Sequence, residues 1–179
     1  MRKSVCMITI FVGDCNHISQ SFYDSVINNL QLHQLKCPCG HSCCLRVHAY
    51  YIRSVKTGTG KVKLRILRVK CSECGHTHAI LPSSIVPYSQ IKATDQQQIC
   101  QAYGSGGDPY VICELDPLVD ENNVKSVILN FRRHWKEKLR SLRIKLSPID
   151  NLVRSCFADY SMQFMQVRLT PNILFMDTT

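Results

Sequence analysis

Acidic side chains are scarce in this chain, with 13 Asp and Glu against 22 Lys and Arg and a formal net charge of +9 over 179 residues. Residues 45–70 hold no acid at all beside eight Lys and Arg, and residues 125–145 set eight more against the single Glu137. The acids that exist are scattered, and none is spaced as the carboxylate triad of a cut-and-paste nuclease. Also missing are a glycine-rich phosphate loop, a nucleophile elbow and a Ser/His/Asp set, so an enzyme is not expected. Long apolar runs are absent too, and no stretch is long enough to span a bilayer. Met1-Arg2-Lys3 ahead of Val5–Val12 imitates an export signal, but the run is short and lacks a small-residue cleavage site. Without such a signal, 11 cysteines argue against a disulfide scaffold and for a reducing, cytoplasmic setting in which clustered thiols hold metal.

Those cysteines are not spread evenly. One cluster reads Cys37-Pro38-Cys39-Gly40-His41-Ser42-Cys43-Cys44 and the other Cys71-Ser72-Glu73-Cys74-Gly75-His76. Two thiol clusters, each with a turn glycine and separated by a two-stranded excursion, spell a zinc ribbon, in which paired loops present four thiolates to one tetrahedral Zn2+. Cys71 and Cys74 have the expected spacing. The candidates for the other two ligands are Cys37, Cys39, Cys43, Cys44 and His41: Cys37 with Cys39 makes a loop one residue short, and Cys39 with Cys44 a wider one. Adjacent cysteines rarely share a metal, so Cys43 and Cys44 are alternatives. Four thiolates leave no open position, which makes the site structural.

The excursion between the clusters is a hairpin, Leu45–Lys56 and a return strand, joined through Thr57-Gly58-Thr59-Gly60. On the return strand Lys61, Lys63 and Arg65 alternate with Val62, Leu64 and Ile66. At Leu67 the phase slips, so that Arg68 and Lys70 take the positions the old phase would leave apolar. The slip predicts a β-bulge near the metal. Thr77–Leu81 is a third short strand. His76 is expected beside the metal, donating to a thiolate. His76 with His78 also offers a remote alternative, the histidine pair of a single-strand nuclease.

The pattern predicts an α+β chain: a strand–helix segment (1–35), the zinc ribbon (36–82), a linker (83–93), a helix-turn-helix-like domain (94–145) and an amphipathic C-terminal helix with a tail (146–179). In the first segment, residues 4–12 form a strand, and Ser19 or Ser21 caps a helix to about residue 34. Thr94 or Asp95 caps a short helix, a second element runs over 108–115, and Asp120 caps a longer helix to about Arg140. Val124, Val127, Ile128, Phe131 and Trp135 line one side of that helix. In helix-turn-helix geometry its N-terminal half enters the major groove, so Asn122, Asn123, Lys125 and Ser126 face bases while Arg132, Arg133 and Lys136 touch phosphates. Lys61, Lys63, Arg65 and Arg68 add a second basic face for duplex DNA. Ser147 and Pro148 open the last helix, whose apolar stripe to Val167 packs on its neighbours or on a second copy in a homodimer.

These residues resemble a family of short bacterial proteins bearing a zinc ribbon like that of insertion-sequence transposases. The likeness rests on Cys37-Pro38-Cys39-Gly40-His41, Cys44, His48–Tyr51, Val69–Ala79, Leu81–Ile91 and Phe131–Lys136. It implies a glycine at position 43, which favours Cys44 over Cys43 as ligand. It also implies a DNA-binding accessory or regulatory protein of a mobile element. The chain lacks the catalytic domain of a full transposase, so strand transfer is not implied. The alternative is a protein-interaction adaptor that uses the ribbon and the C-terminal helix.

Overall fold

In the computed structural model the described residues are 6–10, 12, 17–141, 167–169 and 173–175. They form a mixed α+β architecture. Strands β1 (Cys6–Ile10), β2 (Leu45–Thr57), β3 (Gly60–Cys71) and β4 (Thr77–Pro82) make one sheet in the order β1-β4-β3-β2. β1 runs parallel to β4, and the other pairs are antiparallel. Helix α1 (Gln20–Asn28) follows β1, while α2 (Ala93–Ser105), the single turn α3 (Ile112–Leu115) and α4 (Glu121–Ser141) follow the sheet. A small pair, β5 (Val167–Leu169) and β6 (Ile173–Phe175), lies near the end of the chain. The helix expected from Ser147 falls outside the described residues, apart from Val167, which lies in β5. No helix among the described residues is long and apolar enough to cross a membrane.

The phase slip at Leu67 has a different cause from the bulge expected there. Leu64 and Ile66 are buried with Val55, Ala79 and Leu81, whereas Leu67, Val69 and Cys71 are buried with Ile8, Ile10 and Ile80. Successive strand residues point to opposite faces, so β3 changes the face it buries between Ile66 and Leu67. β3 is covered on one side near the hairpin turn and on the other near the cysteines, whereas β1 and β4 are buried on both. The irregularity in the ladder sits across from β3, between Val47 and Ala49 of β2.

β3 and β4 pair only from Arg68↔Ala79 to Lys70↔Thr77 and then part. Helix α1 closes the gap. The Gln20 Oε1 accepts from the Arg65 N–H at 2.7 Å, and the buried Tyr23 hydroxyl accepts from the Leu67 N–H at 2.8 Å while donating to the Ile80 carbonyl at 3.0 Å. Two side chains of one helix thus replace a stretch of strand, and Tyr23 satisfies two backbone groups that would otherwise be buried without partners. Burial pushes the Tyr23 hydroxyl far above its usual range, so it remains a donor. Ser19 caps α1, as expected, by accepting from the Phe22 N–H at 3.1 Å, but the helix stops at Asn28 and not near 34. There the Asn29 side chain takes the Ser25 carbonyl at 2.9 Å, offering the backbone an alternative to a further turn.

The segment after β4 wraps the outer edge of β2, where the Lys56 N–H donates to the Gln90 carbonyl at 2.8 Å. Arg53 fastens it, with one guanidinium nitrogen donating to the Val86 and Ser89 carbonyls at 2.6 and 2.7 Å. The clamp holds Tyr88 exposed at a left-handed φ of +61°. Arg53→Ala removes both charge-assisted bonds and is expected to speed chymotryptic cleavage at Tyr88 by at least tenfold. An unchanged cleavage rate would show that the turn holds itself.

The helices share a third core built on Ile91, Ile99, Ile112, Val119, Val124 and Val127. α2 starts at Ala93 with no side-chain cap; neither Thr94 nor Asp95 serves, because Asp95 lies inside the first turn and pairs with Lys92 at 3.2 Å. Asp120 does cap α4, accepting from the Asn123 N–H at 2.8 Å, and Asn123 Oδ1 answers by accepting from the Asp120 N–H at 3.3 Å. Lys56 of β2 joins the sheet to this cap, donating to Asn123 Oδ1 at 2.6 Å and lying 3.8 Å from Asp120.

Candidate metal centre

Two short loops bring four thiols together. In the first, the Cys37 N–H donates to the His41 carbonyl at 2.8 Å and the Gly40 N–H to the Cys37 carbonyl at 2.8 Å. In the second, the Cys71 N–H donates to the His76 carbonyl at 2.9 Å and the Gly75 N–H to the Cys71 carbonyl at 3.1 Å. Gly40 (φ +95°) and Gly75 (φ +70°) occupy corresponding places, with backbone angles that side chains rarely permit. The first loop is therefore the second with one residue removed, and its glycine turns the chain one position earlier. The short Cys37-Pro38-Cys39 spacing is accommodated and not a defect. The Cys44 carbonyl ties the loops together by accepting from the Ser72 N–H at 2.8 Å.

The sulfurs of Cys37, Cys39, Cys71 and Cys74 all lie within 4.8 Å of one another. Cys37–Cys74 and Cys39–Cys71 are each 3.7 Å apart. Metal–sulfur bonds of about 2.3 Å in a tetrahedron give an edge of roughly 3.8 Å, so the spacing fits an ion at the centre. It does not fit a disulfide, and all four are free thiols. Cys44, another candidate ligand, is outside this quartet. It is buried in the core beside Cys71, donates to the His41 carbonyl at 3.2 Å, and burial pushes its thiol up to about 11. Cys43 adopts φ +57° and points elsewhere, donating to the His33 carbonyl at 3.2 Å.

Four close thiols cannot all ionise without a cation, and they divide accordingly. Burial pushes Cys37 and Cys74 up. The His41 N–H, with the His41 ring beside it, draws Cys39 down to about 6. Burial also acts on Cys71, but the Cys74 N–H and its other neighbours outweigh it and hold the thiol below its usual range. A divalent cation reverses the burden, stabilising thiolate at all four and releasing protons as it binds.

Two histidines touch the quartet. His41 Nδ1 is 3.4 Å from Cys39 Sγ, and His78 Nε2 is 3.4 Å from Cys37 Sγ. The place expected for His76 is therefore held by His78. His78 pairs with Val69 in the β3–β4 ladder and is buried, while the His76 ring is exposed. Burial draws the His78 imidazole down to about 4, so at neutral pH it is an uncharged ring suited to donate one N–H to a thiolate. Of the two, only the His76 ring is open to solvent. His78 carried a readable signal, since strand alternation from Leu81 sets it on one face with Ile80.

The expected nucleic-acid residues do not form a single set. Lys61, Lys63 and Arg65 are exposed on one face of the hairpin. Arg68, beyond the change of face, is half-buried on the other and donates to Thr77 Oγ1 at 2.8 Å. On α4, Asn122, Ser126 and Arg132 are exposed. Lys125 is exposed but pairs with Glu121 at 3.1 Å, and Asn123 is turned inward to Asp120 and Lys56. The side chains of Arg133 and Lys136 lie outside the described residues.

A family model described as a domain of unknown function, DUF6431, matches residues 28–108, which contain all four cysteines of the quartet, the hairpin and α2. No curated protein and no solved structure matches the chain.

Proposed function

We propose that this protein is a zinc-stabilised DNA-binding protein, with a zinc ribbon over the quartet and a helix-turn-helix-like unit in α2–α4. The observation that carries the reading is the hairpin. Its open end is fastened by the thiol quartet, and its exposed face holds Lys61, Lys63 and Arg65 with no acidic partner among the described residues. Zinc suits four thiolates in a tetrahedron, and with no position left open the ion holds the fold without doing chemistry. Asn122 and Ser126 at the exposed start of α4 are placed to meet base edges, and Arg132 to meet phosphate. The likeness to transposase zinc ribbons supports an accessory role beside a mobile element.

The test is a fluorescence-anisotropy titration of the zinc-loaded protein on duplex DNA across a salt series. Six or so phosphate contacts predict a loss of about a thousandfold between 50 and 200 mM salt. An absence of duplex binding at the low end overturns the proposal. A second reading, a protein-interaction adaptor, is favoured by the apolar surface around α3, where Leu115 is 67% exposed beside Val111 and Leu118. Co-purification of one partner protein in fixed stoichiometry, with no DNA binding, would select it.

A further inference from the structure

The exposed hairpin face holds more than cations. Tyr50 is 46% exposed and Ile52 is 64% exposed, both in the middle of the long strand β2. The register places Ile52 opposite Arg65, Ser54 opposite Lys63 and Lys56 opposite Lys61. The Arg65 guanidinium carbon stands 4.0 Å from the centroid of the Tyr50 ring. One face of the hairpin thus presents an aromatic ring stacked with a guanidinium, an aliphatic side chain next to them, and two further lysines in line toward the turn. The strip ends at Lys56, whose amino group is anchored on the cap of α4.

A surface meant only for the phosphates of a duplex needs the cations and gains nothing from an exposed ring and isoleucine, because paired bases are stacked inside the helix. An unpaired strand offers both a charged backbone and free base faces, and base–aromatic stacking beside basic side chains is the chemistry that holds it. We infer that the Tyr50–Arg65 face of the hairpin binds unpaired nucleotides, with a base stacked on the Tyr50–Arg65 pair and against Ile52, and backbone phosphates on Lys61 and Lys63. The inference rests on the nucleic-acid reading above and adds a single-stranded component to this face, whose cations also meet duplex phosphates.

The zinc-loaded full chain is titrated against a labelled twelve-nucleotide oligothymidylate and, separately, a twelve-base-pair duplex, each as wild type, Tyr50→Ala and Tyr50→Phe. Loss of one stacking partner weakens single-strand affinity by about tenfold or more. Tyr50→Ala should therefore lose at least tenfold on the oligothymidylate and less than twofold on the duplex, while Tyr50→Phe stays within twofold of wild type on both. Circular dichroism and zinc content confirm that each variant is folded. Equal losses on both ligands, or no loss on the oligothymidylate, overturn the assignment while leaving duplex binding standing. Failure of the wild type to bind either ligand overturns the nucleic-acid reading with it.

Discussion

Cys39→Ser should abolish stoichiometric zinc and lower the thermal midpoint sharply, whereas Cys44→Ser should keep one zinc per chain. Both positions belong to the same crowded loop and both were candidates by spacing. Only Cys39 has its sulfur in the quartet, 3.7 Å from Cys71. A metal present at a thousand times its dissociation constant stabilises the folded state by about 4 kcal/mol. For a chain of this size, that loss lowers the midpoint by about 8–16 °C. Serine at 39 cannot supply a thiolate, and the three remaining sulfurs keep only a weaker site. Cys44→Ser buries a hydroxyl in place of a thiol and costs some stability through packing, but it leaves the four sulfurs of the quartet untouched. Zinc release followed with a colorimetric chelator reads the stoichiometry, and calorimetry reads the midpoint. Loss of zinc in Cys44→Ser as well as in Cys39→Ser would show that the wider loop, Cys39 with Cys44, is the true one.

Tyr23→Phe should destabilise the fold by about 2–4 kcal/mol without changing zinc content. The hydroxyl serves both the Leu67 N–H and the Ile80 carbonyl. Removing it leaves two buried backbone groups unpaired, at about 1–3 kcal/mol each. The phenyl ring still fills its place in the core, so packing is not at issue. Urea denaturation should show a lower midpoint with an unchanged slope. A loss below about 1 kcal/mol would mean that β3 and β4 can close directly when the helix lets go, and that α1 is not the element that holds them apart.

Parts of this architecture were legible because they are local. The strands at 45–57, 60–71 and 77–82 follow from alternation and turn residues, and the cap of α4 follows from Asp120. The pairing of two thiol loops was legible as well, since Cys71-Ser72-Glu73-Cys74-Gly75 states its own geometry. Cys37 against Cys44 was not, because whether a loop one residue short still closes depends on the φ of Gly40, which no spacing rule contains. The bulge inferred at Leu67 failed for a related reason. A slip in hydrophobic phase looks the same whether the backbone adds a residue or the strand passes from one buried face to the other.

The sequence by itself determined the hairpin strands, β4, the two thiol loops and the two blocks of positive charge, because each is written in contiguous residues and their periodicity. Tertiary structure alone decided that α1 serves as a substitute strand, that His78 and not His76 meets the quartet, and that Arg68 is separated from Lys61, Lys63 and Arg65. Each of those outcomes depends on what covers which face of the sheet. That is settled by contacts between residues tens of positions apart, such as Tyr23 with Ile80 and Cys37 with His78.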